Sequence, residues 1–396
     1  MKRVVIPIYV LFLLVLLELF SYGVGRVLQD RWLMYRDPTA PEDKAPMSYE
    51  EYLEVRDGEL GWPRREEFGQ EGYGYDPDGA RRCRESGVAD TAPWLLSFYG
   101  DSYTLDRIGG DTDHWVCRLQ RLVGARARNY GVSGYGTDQA LMRYLGNRGD
   151  GAQIAVLAHM SEDILRNLTR YRDFQTYSRD WAFKPRFELD ESGGLRRLPI
   201  PSIAPADYPR FIGVERPQLV LPGEYFNPNG RAGAVRLTFP FTLAVVRNLG
   251  FWRLQSWFAD VPAYAPFYGE DHPFRGLQIT TQVMLRFVRE SEARGKMSLL
   301  ILFPGPADME YYREHGSWVY QGLIDALRRE GVEPLNFGET LVADLDGRPV
   351  SDAFGTGSPS RRAHYSLETS HRVAEVVLER LVASGMIARP DSMAQR

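Results

Sequence analysis

Trp94-Leu95-Leu96-Ser97-Phe98-Tyr99, followed by Gly100-Asp101-Ser102-Tyr103, is the stretch that decides the fold. Six uncharged, mostly apolar residues between Pro93 and Gly100 read as a buried strand. A serine at the mouth of such a strand lies where open α/β sheets place their ligands, outside the carboxyl ends of the strands. The same rhythm continues outward from it. Trp115, Leu119, Leu122 and Val123 recur at helical spacing, Arg128–Tyr130 closes a short second strand, Gln139–Leu145 begins a helix, and Ile154–Ala158 is a third strand. Further on, Leu277–Arg294 reads as helix and Met297–Phe303 as a central strand bounded by Pro304-Gly305-Pro306. Trp318–Arg329 is amphipathic, Glu333–Asn336 starts a last strand, and Leu367–Leu381 closes the fold as a helix. Strands alternating with helices predict a parallel sheet covered on both faces.

The alternation stops over 168–275, a stretch rich in Pro, Gly and aromatic residues, which reads as an irregular insertion on the sheet scaffold. At the N-terminus, Met1-Lys2-Arg3 precedes an apolar run to Val24 broken only by Glu18 and Ser21. The run approaches the ~20 residues that span a bilayer. Basic residues ahead of it predict a cytoplasmic N-terminus with the remainder exported. An uncleaved anchor is the preferred reading over a cleaved signal, because no small-x-small site follows the apolar run. Glu18 is expected near the far interface, within reach of headgroups. The expected organisation is therefore a single-pass anchor at 1–25, a spacer and lead segment at 26–90, a domain at 91–385 and a tail at 386–396. Within the lead segment, Leu60-Gly61-Trp62-Pro63 looks the most ordered.

A formal net charge of −4 gives no reason to expect nucleic-acid binding. Aromatics at 12% would suit a carbohydrate-facing cleft, although core packing accounts for most of them. Cys83 and Cys117 are the only cysteines, and a buried or free pair of thiols is preferred over a bridge. Without C-x-x-C or His-rich spacing, neither metal nor cofactor is expected.

Two further stretches complete the chemistry: Asn129-Tyr130-Gly131-Val132-Ser133-Gly134, and His364-Tyr365-Ser366 ahead of the closing helix. A serine hydroxyl needs a base within hydrogen-bond reach, and His364 sits on a loop that can deliver one. The alternative for Ser102 is a strand-end residue that merely caps a helix. Order and spacing of the three stretches resemble the SGNH (GDSL) hydrolase superfamily. The resemblance implies a flavodoxin-like three-layer α/β/α sandwich with a five-stranded parallel sheet. It further implies Ser102 as nucleophile, His364 as base, and the Ser102 and Gly134 amides as oxyanion donors. Asp101, Tyr103 and Arg166 are candidate substrate contacts. Arg166, Arg170 and Arg172 with Tyr171 make a basic, aromatic patch that could hold an acidic sugar, although a solvated face is the preferred reading.

Two positions depart from that pattern. The family's Asn beyond strand three aligns with Glu162, next to Asp163, and an ionised carboxylate cannot donate a hydrogen bond. Protonation of Glu162 by burial, donation by another group such as His159 or Asn167, or a site that does not hydrolyse esters are the alternatives. The family's Asp three residues before the histidine aligns with Arg361. Asp352 is the nearest substitute, but a Ser–His dyad with His364 oriented by a backbone carbonyl is preferred. The resulting expectation is a serine esterase at the inner or cytoplasmic membrane, its domain periplasmic or extracellular. Its partner would be an ester-bearing surface glycan or a small acyl substrate. Acyl transfer is the close variant, and a non-catalytic glycan-binding module of an envelope assembly is the rival.

Overall fold

The computed structural model describes residues 2–36, 48–62, 74–84, 87–89, 91–106, 108–176, 183–212, 220–228, 230, 232–357 and 363–390. The chain forms two compact units. One comprises Met1–Glu54, Thr169–Lys184 and Pro199–Ala263, and the other Val55–Leu168, Pro185–Leu198 and Tyr264–Arg396.

The larger unit is built on a parallel sheet of β1 (Trp94–Tyr99), β2 (Arg126–Asn129), β3 (Ile154–Met160), β6 (Met297–Phe303) and β7 (Leu335–Asn336), in the order β2-β1-β3-β6-β7. This is the flavodoxin-like order, with its switch point between β1 and β3. Every residue of β3 is buried, which requires helices on both faces. One group is Trp115–Val123 packed on Leu367–Ala383; the other is Thr137–Gly146 packed on Gly276–Ala293. The polar groups inside β1 are satisfied locally. Ser97 and Tyr99 both donate to Asp150 Oδ2, at 2.7 and 3.0 Å, and Lys296 Nζ lies 3.0 Å from the same oxygen.

The stretch expected as one irregular insertion contains regular structure. Arg186–Leu189 (β4) and Leu195–Leu198 (β5) form an antiparallel hairpin within the larger unit. Its turn is made by the Asp190 carboxylate, which accepts from Ser192 N and Gly194 N, and by Gly193 at φ 80°. Most of the remainder belongs to the smaller unit and includes the helices Phe241–Asn248 and Trp252–Phe258.

In the smaller unit the N-terminal helix runs from Lys2 to Asp30, and its stretch from Pro7 onward is long and apolar enough to cross a membrane. Its last turns lead into a core. Met34, Val235 and Ala244 cluster there with Leu28 and Leu237, and Asn248 donates to Leu33 O at 2.7 Å while accepting from Val235 N. Glu18 does not reach outward. Its carboxylate accepts from the backbone N–H of Phe241 at 2.5 Å and of Thr242 at 3.4 Å, the free donors of a helix start. Ser21 Oγ is 2.9 Å from Thr242 Oγ1.

Cys83 and Cys117 form a disulfide, correcting the expectation of free thiols. The lead segment brings them together: Arg81 N donates to Asn129 O and Arg84 N to Asp111 O, so the two Cα atoms stand 5.2 Å apart. Part of the expected spacer is thus built into the larger unit. Trp62 Nε1 also donates to Ser133 O, and Gln139 Nε2 to Leu60 O. Pro63 lies outside the described residues.

The bridge closes a loop of 34 residues. Replacing both cysteines with serine should cost about 2–4 kcal/mol by the loop-closure relation. Thermal unfolding of the double variant checks it; an unchanged midpoint would show that the lead segment is held without the bridge.

Candidate active site

Gly100 and Asp101 turn the chain sharply out of β1. A Cβ at Gly100 would meet Thr104 Oγ1 at 2.1 Å, so only glycine fits there. Asp101 caps the short helix Ser102–Leu105, its Oδ1 accepting from Tyr103 N at 2.9 Å. Ser102 opens that helix, and its N–H is one of the first-turn donors that a helix leaves without an internal partner. At the far end, Arg81 donates to Leu105 O, Asp106 O and Gly110 O. Asp106 accepts from Trp115 N at 2.9 Å and from the Ser370 hydroxyl, tying the turn to the helix Leu367–Ala383.

His364 Nε2 lies 2.9 Å from Ser102 Oγ, across 262 residues of sequence. Tyr103 fastens the histidine loop from below. Its hydroxyl donates to Ala363 O, and its ring lies 5.2 Å from that of His364 and 4.8 Å from that of Tyr365. Tyr365 OH in turn donates to Pro304 O at 3.0 Å. Burial, followed by the charge of Asp101, pushes the Tyr103 phenol well above its ordinary value, so it stays a donor.

Asp352 is not brought to His364. The two segments pair through backbone, Gly355 N donating to His364 O at 2.8 Å and Ser366 N to Ala353 O at 3.0 Å. Asp352 itself is exposed and lines a cleft with Arg348, Glu368, His371 and Arg372. Arg361 lies outside the described residues.

The second block runs directly beside the Ser102 turn. Val132 N donates to Gly100 O, and Asn129 Nδ2 to Thr104 O. A Cβ on Gly131 would come within 2.4 Å of Leu105 N, and Gly134 has φ 82°, so both positions need glycine.

Arg166, expected at the substrate, is buried and turned inward. Its Nη1 donates to Asp163 Oδ1 at 2.7 Å, Asp101 Oδ2 at 3.1 Å and Tyr135 O at 3.1 Å. Asp101, Tyr103 and Arg166 are therefore all buried and engaged in intramolecular bonds. Asp163, offered as an oxyanion residue, is fully buried against Arg166, and burial raises its carboxyl well above the usual range. Glu162 is partly exposed, 3.8 Å from Arg166 Nη2. A carboxylate held by an arginine supplies no donor.

The two alternative donors are also engaged elsewhere. Tyr268 OH gives its proton to Ser161 O at 2.6 Å and so accepts from His159 Nε2 at 2.9 Å. Thr137 Oγ is 2.6 Å from His159 Nδ1, and burial pushes this imidazole down to about 3, so it is neutral. Asn167 accepts from Asp138 N and donates to Thr280 Oγ1. Of the basic, aromatic stretch, Tyr171 is fully buried, stacked on Phe183, while the half-exposed Arg170 donates to Pro199 O and Pro222 O.

Asp308 was not visible as a site-end residue in the sequence. It follows the Pro304-Gly305-Pro306 turn after β6, where its Oδ2 accepts from the Ser161 hydroxyl and from Gly305 N at 2.7 Å. Burial raises it to about 7, against the lowering effect of those two donors.

A scan of known protein families finds no match to the chain, and a search of curated proteins finds none either. Among solved structures, a protein assigned to the lipolytic G-D-S-L family from Desulfitobacterium hafniense DCB-2 aligns at 11% identity and TM-score 0.33, over 72% of this chain and 97% of its own. A protein from Lactobacillus plantarum aligns at 10% identity and TM-score 0.35, over 74% and 98%. At TM-scores this low, the site stands on its own geometry.

Arg166→Met would leave the Asp101 and Asp163 carboxylates buried without their counter-charge. A loss of about 3–5 kcal/mol is expected in denaturant unfolding; parental stability would show that neither carboxylate depends on the arginine. Asp308 gives a pH signature. With the folded value raised to about 7, the folded chain keeps a proton that the unfolded chain has lost. Its contribution to stability is therefore full below the unfolded carboxyl range and falls as pH rises toward 7. Asp308→Asn should flatten the decline in unfolding free energy between pH 5 and 8, and an unaltered slope would refute the assignment.

Proposed function

We propose that this chain is a membrane-anchored serine hydrolase of SGNH type, acting on ester groups of a cell-surface polysaccharide. The observation that carries the reading is the 2.9 Å approach of His364 Nε2 to Ser102 Oγ. In the proposed cycle, Ser102 Oγ attacks the ester carbonyl while His364 Nε2 takes its proton. Negative charge developing on the carbonyl oxygen is met by the Ser102 N–H and the Gly134 amide. His364 then protonates the departing alcohol, leaving an acyl-enzyme on Ser102. Water deprotonated by the same nitrogen releases the acid, and a sugar hydroxyl in its place gives acyl transfer.

The pair operates as a dyad in this reading, because the exposed Asp352 lines a cleft with Arg348, Glu368, His371 and Arg372. Losing the carboxylate lowers the rate without abolishing it, since the oxyanion donors and binding act independently of it. The basic Lys2 and Arg3 ahead of the apolar helix support a cytoplasmic N-terminus and a catalytic domain on the outer side. A disulfide in the larger unit is compatible with such a compartment.

The test combines a covalent probe with turnover. A fluorophosphonate should label the full chain at Ser102, and Ser102→Ala should abolish labelling and lower acetyl-ester turnover by ~10³-fold or more. In the same assay Asp352→Asn should stay near the parental rate. Unlabelled protein with near-parental turnover in Ser102→Ala would sink the catalytic reading, and a large loss in Asp352→Asn would sink the dyad.

A further inference from the structure

We propose that the segment from Phe239 to Phe258 is a second membrane-contacting element, seated in the bilayer beside the N-terminal helix at that helix's C-terminal side. The proposal rests on reading the N-terminal helix as a membrane span, and it names a lipid surface as the occupant.

Depth along the helix gives the first observation. Glu18 lies eight residues before Arg26, the next charge in the helix, which is about 12 Å of helical rise. A carboxylate at that depth in hydrocarbon is costly unless it is paired. Here it is bound by the backbone donors of Phe241 and Thr242, so the start of the helix Phe241–Asn248 is fixed at the level of Glu18. The helix then climbs alongside, for its last residue, Asn248, bonds to Leu33 O. An element that begins at this depth shares the depth of the span.

The outward face supplies the second observation. Ala244 and Asn248 are turned into the core, while Leu243, Val246 and Leu249 face out. Phe239, in the loop at the deepest level, is 73% exposed, Val246 55% and Phe258 62%. Singly scattered exposed apolar residues need no explanation, but a contiguous set does. This set continues the exposed apolar surface of Leu19, Phe20 and Tyr22 on the N-terminal helix, Tyr22 lying 5.0 Å from the Phe241 ring. From Leu237 to Ala259 the only charges are Arg247 and Arg253.

The upper edge carries the residues that favour a membrane–water boundary. Arg31 lies over Trp257 at 5.9 Å and Arg36 over Trp32 at 5.0 Å. Amphipathic tryptophans and snorkelling arginines concentrate at the headgroup level.

Single cysteines introduced at Leu13, Phe239, Val246 and Glu330 of the full-length chain, each carrying a nitroxide, would be measured in phosphatidylcholine–phosphatidylglycerol vesicles. Collision with oxygen reports lipid, and collision with a water-soluble nickel chelate reports solvent. Leu13 monitors the span and Glu330 the aqueous phase. Phe239 and Val246 should both resemble Leu13, with nickel collisions several-fold below those at Glu330. Nickel access at either site equal to Glu330, with Leu13 in lipid, overturns the inference and leaves the span standing. Low access to both reagents at Phe239 and Val246 would mark a protein partner and overturns it as well. Nickel access at Leu13 removes the span and this inference together.

Discussion

The Arg166 guanidinium is the constraint on which the site depends. One nitrogen, Nη1, holds the capping carboxylate of the Ser102 turn, a carbonyl of the glycine loop and the carboxylate of its own turn. These belong to the connections after β1, β2 and β3, so a single buried cation sets the spacing of three loops at one end of the sheet. The arrangement is stable only as a set, because a buried charge is tolerated when its partners come with it. Burial raises Asp163 while Arg166 lowers it, and the guanidinium, charged throughout the accessible pH range, is the fixed member of the group.

A different device positions His364. Tyr103, the neighbour of Ser102, reaches to Ala363 O, and Tyr365 anchors the same loop to Pro304 O. The Ser102–His364 distance is therefore governed by two aromatic hydroxyls and by the backbone pairing with Ala353 and Gly355. In the proposed dyad this would separate the mechanical task of orienting the imidazole from the electrostatic task of stabilising its cation.

Sheet strands were legible because burial on both faces leaves a near-continuous apolar run. Trp94–Tyr99 and Met297–Phe303 have the bounds their composition suggests. The last strand, expected to start at Glu333–Asn336, is present as Leu335–Asn336, too short for any period to mark its bounds. The helix Phe241–Asn248 was missed for a physical reason: its outward face is as apolar as its inward one, so no amphipathic stripe marks it. The nearness of Ser102 to His364 was foreshadowed by the order of the three motifs, whereas the inward turn of Asp101, Tyr103 and Arg166 was not. Their place beside Ser102 and after the third strand suggests ligand contacts, and only tertiary geometry reveals their partners inside the protein. The disulfide was hidden likewise, since it depends on the pairing of Arg81 with Asn129. Asp308 carries no local signature at all beyond its place after a proline turn.

The 262 residues between Ser102 and His364 have a consequence for how the protein comes to life. A ribosome emits the N-terminal helix first, the serine turn next and the histidine far later, so for most of synthesis the hydroxyl stands without a base. A serine lacking its imidazole is a poor nucleophile. In the proposed reading the chain thereby carries its own delay: a nascent or prematurely halted product would hold Ser102 in a dormant form until the last helix docks and brings His364 across the sheet.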